Sequence, residues 1–306
     1  MKTKVLITID TEFSSHKGDI GVFGTIRGKS YGLPLIMELA NKHNIKFTFF
    51  VDVYGVRKQF KASLISICKE LLAEGHDLQL HTHPGMLFDK NRNCLYMYSL
   101  EEQVQIIKKG NELFKEWFGI SPAAHRAGDW SANDDTIKAL FINNIKIDSS
   151  GFFRYEHCRL IKNNYLINHG DITEIPPSTY RINGLNLFKD AKLLSTDGNP
   201  LQEVFYVLNE MLKDHRQIIN IVYHSFSFLQ WNKRRTEYRF SMHRKEKFER
   251  LLEFISGNCN LEPAVIKELN LEKYTRQSAN EISTGLVYFI PRLADKLKTI
   301  MSTKKE

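Results

Sequence analysis

The chain has 306 residues, 42% of them hydrophobic and 25% charged, with a formal net charge of +8. These values place it among soluble globular proteins, and no apolar stretch reaches the length of a membrane span. The positive balance admits nucleic acid, an anionic membrane or a phosphate-bearing substrate as partner. The basic residues are spread along the chain without a nucleic-acid motif, so a solvated surface ranks first and nucleic acid last.

The first predicted element is a strand over residues 5–9, a buried run of β-branched and apolar side chains. A helix is expected over 33–43, a strand over 46–53, and a helix over 62–73 that stops at Gly75. Residues 77–83 alternate as a third strand. Ser99 and Glu102 form a capping box for a helix whose Val104, Ile107, Leu113, Phe114 and Trp117 share a face. Next come a strand at 123–125, a helix at 134–142, and strands at 145–148 and 172–175. A helix at 201–213, a very apolar strand at 218–224 and a helix at 244–255 complete the series. Strands separated by helices imply parallel βαβ units, and about seven of them suit a closed or nearly closed barrel. The domain reading is a barrel over 1–256 and a C-terminal helical appendage over 257–306, in which no strand is expected. The stretch 291–306 carries five Lys or Arg against two acids. It reads first as a packed helix or dimer contact, and second as a basic amphipathic segment on a membrane surface.

Cys68, Cys94, Cys158 and Cys259 lie far apart without a Cys-x-x-Cys pair, so neither a disulfide framework nor a thiolate zinc site is expected. The opening apolar run is too short for a signal-peptide core and is stopped by Asp10 and Glu12. A cytoplasmic location, up to the inner membrane surface, is the expectation.

The chemistry gathers at strand ends, where such barrels place their active sites. The first strand ends in Asp10-Thr11-Glu12, two carboxylates that can divide metal binding and base catalysis. The third ends in His81-Thr82-His83-Pro84. Alternation puts both imidazoles on one side, and two histidines with a carboxylate are a common hydrolytic zinc set. Arg126, beside Gly128, can orient a carboxylate. His224 at the end of the last strand can serve as a general acid, although a lone histidine there is more often structural. Trp130, Tyr223 and Trp231 can stack on sugar faces or simply pack the rim.

These residues resemble the motifs of the polysaccharide deacetylase family (carbohydrate esterase family 4), in order and over about residues 3–230. Ile7-Thr8-Ile9-Asp10-Thr11-Glu12 resembles the first motif and Phe47-Thr48-Phe49-Phe50-Val51 the strand after it. Gly75 through Pro84 resembles the second, Arg126-Ala127-Gly128 the third, Asp148-Ser149-Ser150 the fourth, and Ile221-Val222-Tyr223-His224 the fifth. Two departures stand out: Thr11 replaces the second of two adjacent carboxylates, and the histidines are spaced His-x-His instead of His-x-x-x-His. Some relatives carry Asp-x-Glu in the first motif, and the His-x-His-Pro spacing, with Glu174-Ile175-Pro176-Pro177, resembles a subgroup associated with surface-polysaccharide biosynthesis.

The resemblance implies a distorted, incomplete (β/α)7-type barrel. It implies a divalent metal, zinc first, on Glu12, His81 and His83, with Asp10 as base; Asp10 and Glu12 could exchange roles. Arg126 would orient Asp10, and Asp148 would position His224 as the acid that protonates the leaving amine. Glu174, Trp130, Tyr223 and Trp231 would bind substrate, an N-acylated amino sugar carried on a nucleotide or lipid. The competing readings are a non-catalytic sugar-binding module on the same fold and a deformylase of similar chemistry.

Overall fold

The computed structural model describes residues 2–13, 18–160, 167–182, 191–232, 237–274 and 280–302. Its centre is a nine-stranded sheet. The strands are β1 (Thr3–Thr11), β2 (Thr48–Asp52), β3 (Asp77–Thr82), β4 (Ala124–Ala127), β5 (Ile147–Asp148), β6 (Ile167–His169), β7 (Ile172–Glu174), β8 (Ile218–His224) and β9 (Leu261–Ala264). The hydrogen-bonded order is β8-β1-β2-β3-β4-β5-β7-β6, with β9 also on β1. All pairs are parallel except β6 with β7.

β1 organises the sheet. One edge pairs with β8 from Lys4 to Asp10; the other pairs with β9 through Thr3–Leu6 and with β2 through Thr8–Thr11. A strand covered on both faces must be apolar nearly throughout, and β1 is buried along almost its whole length.

Among the described residues seven α-helices pack outside: α1 (Leu33–Lys42), α2 (Lys58–Ala73), α3 (Leu100–Phe118), α4 (Asp134–Ile142), α5 (Leu201–Lys213), α6 (Met242–Gly257) and α7 (Phe289–Ser302). The Ser99–Glu102 capping box forms, and Gly119 ends α3 in the left-handed conformation. Alternation along the strands divides the interior in two. Val5, Ile7, Ile9, Phe49, Leu78, Leu80 and Ile221 face the helices in one large core. Leu6, Phe50, Ala124, Ile147 and Ile175 form a smaller core on the inner side.

Among the described residues no strand ladder closes the wall. Beyond β7, Ser178 N donates to Asn220 O at 2.8 Å, and Asn220 N donates to Ser178 Oγ at 2.9 Å. These bonds and the Asn220 side chain stitch the two sides together. The result is the incomplete α/β barrel anticipated from the sequence.

One expectation fails. The segment after residue 257 is not purely helical: β9 joins the main sheet, and Ser283–Thr284 pairs with Thr179–Ile182, which also pairs with Lys192–Leu193. The sheet therefore draws a strand from beyond residue 256. Hairpins Thr25–Ile26/Lys29–Ser30 and Leu229–Trp231/Tyr238–Phe240 are likewise additions to the predicted elements. Of the basic tail, residues 303–306 lie outside the described residues.

α7 packs against expectation for an amphipathic helix. Several of its polar residues turn inward: Asp295 accepts from Lys247 Nζ at 2.6 Å and lies 2.8 Å from His243 Nε2, while Arg292 pairs with the buried Glu203. Its apolar residues turn outward, with Ile290, Leu293, Leu297 and Met301 all exposed.

Candidate metal and catalytic site

Register builds the site. Asp10 pairs with His224 across β1 and β8, Asp52 with His81 across β2 and β3, and His81 with Arg126 across β3 and β4. These side chains share the inner face at the C-terminal ends of the strands. Glu12 and His83 follow two residues after Asp10 and His81, so they point the same way.

Glu12, His81 and His83 converge, with one donor atom from each within 4.8 Å of the others. Glu12 Oε1 is 2.9 Å from His81 Nε2 and 3.0 Å from His83 Nε2. His81 Nδ1 lies 2.9 Å from the Arg126 carbonyl, which can only accept, so Nδ1 carries the proton. In a neutral His81, Nε2 then aims a lone pair at a carboxylate oxygen. Two acceptors so close need a positive centre between them. At the neighbouring His83, burial opposes charge on the ring, but Glu12 outweighs it and raises the imidazole to about 9. Burial likewise opposes ionisation of Glu12, yet the two histidines hold its carboxyl well below the ordinary range. The donor set fits a divalent cation, with the His81 Nδ1–carbonyl bond orienting the ligand.

Gly128 makes room for this arrangement. A Cβ there would lie 2.5 Å from His83 Nδ1 and Cε1, so the segment after β4 can pass the imidazole only without a side chain.

Asp10 lies beside the triad. Donor atoms of Asp10, Glu12 and His224 also fall within 4.8 Å of one another. Arg126 is fully buried and donates from Nη1 to Asp10 Oδ1. Its Nη2 donates to Thr8 Oγ1 at 3.0 Å and to Ser149 Oγ at 2.9 Å. Asn220 Nδ2 donates to the same Ser149 Oγ at 3.1 Å, completing a polar floor. Phe50 lies 4.0 Å from the guanidinium carbon and Trp130 5.1 Å from it. Asp10, Arg126 and His224 are thus brought together with the triad.

Three expected site residues are not. Asp148 does not position His224; its Oδ1 is 2.8 Å from His125 Nδ1, and both side chains are fully buried. His125 Nε2 in turn meets Thr82 Oγ1 at 2.9 Å. Glu174 is buried and accepts from Gly151 N at 2.9 Å. Burial first, then the Asp148 charge, raises its carboxyl well above the ordinary range. Burial opposes ionisation of Asp148, but contacts with His125 and Glu174 prevail and lower it. Tyr223 points to α6, edge-on to Phe248, with its hydroxyl 2.8 Å from Thr196 Oγ1. The physical reason is common to all three: they occupy the outward parity of their strands.

Trp130 is largely buried and covers Arg126, so it serves as a wall. Trp231 stands on the 229–240 hairpin, 5.1 Å from Tyr238. One inward acid escaped the sequence reading. Asp52 ends β2, is buried, and accepts from Tyr54 N at 2.9 Å. Burial raises its carboxyl, partly offset by His83 and His81. Its position at a strand end was the available signal.

No family model matches the sequence, and no curated protein does. Solved structures do match. One, described as a polysaccharide deacetylase from Mycobacterium smegmatis, superposes with TM-score 0.58 at 16% identity, covering 91% of this chain and 94% of that one. The chain shares its fold. Puue allantoinase matches with TM-score 0.54 at 10% identity, covering 87% and 88%. A structure described as a polysaccharide deacetylase from Pseudomonas aeruginosa PAO1 gives TM-score 0.53 at 12% identity, covering 87% and 89%. At these identities the likeness is one of architecture.

Proposed function

We propose that the chain is a metal-dependent hydrolase that removes an N-acetyl or related N-acyl group from an amino sugar. The observation that carries this reading is the convergence of Glu12, His81 and His83 beside an Arg126-held Asp10 and His224. The His-His-carboxylate set suits zinc. A divalent cation bound there supplies Lewis acidity toward the amide carbonyl and lowers the pKa of water. Asp10, fixed by Arg126, takes the proton of the attacking water. His224, across the strand pair from Asp10, delivers a proton to the departing amine. Trp130 and Phe50 hold Arg126 in place, Thr8 and Ser149 accept from its remaining donors, and Asn220 braces both of those acceptors.

The substrate we favour is a surface-polysaccharide precursor on a nucleotide or lipid carrier. The His-x-His-Pro and Glu-Ile-Pro-Pro segments support that choice by resemblance. The outward apolar face of α7, flanked by Lys296 and Lys298, supports contact with an anionic membrane, as at the cytoplasmic inner surface. Among the described residues no helix is long and apolar enough to cross a membrane.

The test is acetate release from N-acetylated sugar nucleotides and lipid-linked sugars. Chelation should abolish it and zinc or cobalt restore it. Asp10→Asn should keep the metal and lose turnover by about 10²- to 10⁴-fold, as for loss of a general base. Near-normal turnover in that variant would remove Asp10 from the role.

A further inference from the structure

A second set of metal-binding side chains sits on the loops beyond the strand ends. Cys94, Asp129 and His157 each offer one donor atom, and these atoms lie within 4.8 Å of one another. They come from three loops: one ahead of α3, one after β4, and one between β5 and β6. His157 Nδ1 contacts Asp129 Oδ2, and the Tyr155 hydroxyl donates to Asp129 Oδ1 at 2.8 Å. Sequence spacing gives no hint of this cluster, because the three residues are far apart in the chain.

The scaffold beneath the cluster is already joined. Leu95 N donates to Ser131 Oγ at 2.9 Å and Tyr96 N to Ser131 O at 3.0 Å. Arg159 N donates to Ala132 O at 2.9 Å, and the Arg159 guanidinium lies 3.6 Å over the Tyr96 ring. Cys94 thus lies one residue, and His157 two residues, from a backbone position fixed to segment 131–132, and Asp129 lies two residues ahead of that segment. Such preorganisation separates a binding site from a chance surface ion pair.

We propose that Cys94, Asp129 and His157 bind a second divalent cation, of the thiophilic class that includes zinc. Thiolate, imidazole and carboxylate together suit zinc or cobalt and disfavour magnesium and calcium. On binding, the cation takes the place of the thiol proton, which passes to solvent. Three protein donors leave a fourth tetrahedral position for water. Gly128 and Trp130 flank Asp129, and they touch His83 and Arg126 respectively. A cation on Asp129 thus ties the segment behind the first site to two neighbouring loops. This inference stands independently of the hydrolase reading.

Cobalt titration of the metal-stripped full chain tests it. Only the second site contains a thiolate, so only it can give a near-ultraviolet sulfur-to-cobalt charge-transfer band. The expected result is two equivalents of cobalt with that band in the wild type. Cys94→Ser should bind one equivalent without the band, and His83→Ala should keep the band. His157→Ala should weaken the band-forming equivalent at least tenfold. No band in the wild type, or a band that survives in Cys94→Ser, would overturn the proposal while leaving the first site untouched.

Discussion

Asp10 and Glu12 stand two residues apart on one face, yet their partners differ. Glu12 faces two imidazoles and Asp10 faces a guanidinium, which supports Glu12 as the ligand and Asp10 as the base. Gly128 allows a sharper test of the same geometry. Gly128→Ala drives a methyl group into the His83 ring. Overpacking of this kind costs about 1–3 kcal/mol, and here either the ring or the β4 segment must shift. The expected outcome is at least a tenfold loss of metal affinity at the Glu12 site, read by calorimetry, in a chain that remains folded. Unchanged affinity would mean that His83 is not held where it lies.

The residue scale also shows how legible the site was. Asp10, Glu12, His81, His83, Arg126 and His224 were readable because each sits at a strand end on the inward parity. Tyr223 and His224 are adjacent on one strand, so they could not both face inward; alternation alone excludes Tyr223. Asp148 and Glu174 were harder. β5 has two residues and β7 three, too few to show a period.

At the scale of elements, Asp148 and His125 bind β5 to β4, and Thr82 extends the chain of contacts to β3. Removing one partner of a buried pair strands the other, at a cost of about 3–5 kcal/mol. Asp148→Ala should therefore lower stability by that order in denaturant titrations. A well-folded Asp148→Ala with an altered pH profile of turnover would instead point back to His224.

His76, just ahead of β3, makes a complementary case. It is buried, its Nδ1 accepts from Phe47 N at 3.0 Å, and burial lowers it to about 4. The unfolded chain takes up this proton near 6.5 and the folded chain only near 4. Acid in that window therefore favours unfolding. The stabilisation is complete above 6.5 and is lost as pH falls toward 4, on the order of 3 kcal/mol in all. His76→Gln should flatten the dependence of stability on pH across that window; an unchanged slope would exclude His76 as the group.

Most elements were visible from periodicity, and α4, α5 and β8 match their predicted ends. β9 was not, since Leu261–Ala264 contains Pro263 and has no alternation of its own. Its assignment comes from pairing with β1, a contact between the two ends of the chain that no local window contains.

For the whole molecule, α7 is the exception to burial of apolar surface. Its inner contacts are ionic, and the outer side chains Ile290, Leu293 and Leu297 have no covering layer among the described residues. If the face rests on lipid, the chain should co-sediment with vesicles rich in anionic phospholipid and much less with neutral ones. Leu293→Ser with Leu297→Ser should weaken that binding about tenfold or more without loss of fold, because both positions are exposed. Self-association of the wild type in dilute solution, abolished by the same pair, would replace lipid with a second copy of the chain.

The seam between β7 and β8 carries a mechanical consequence. In a fully laddered cylinder, widening the mouth stretches every neighbouring pair of strands. Here the wall meets along one line through Ser178 and the Asn220 side chain, which also braces Thr8 and Ser149. Parting the wall at that line would disturb the bracing of Thr8 and Ser149, and with it the floor beneath Arg126, while the ladder of β1, β2 and β3 stays paired.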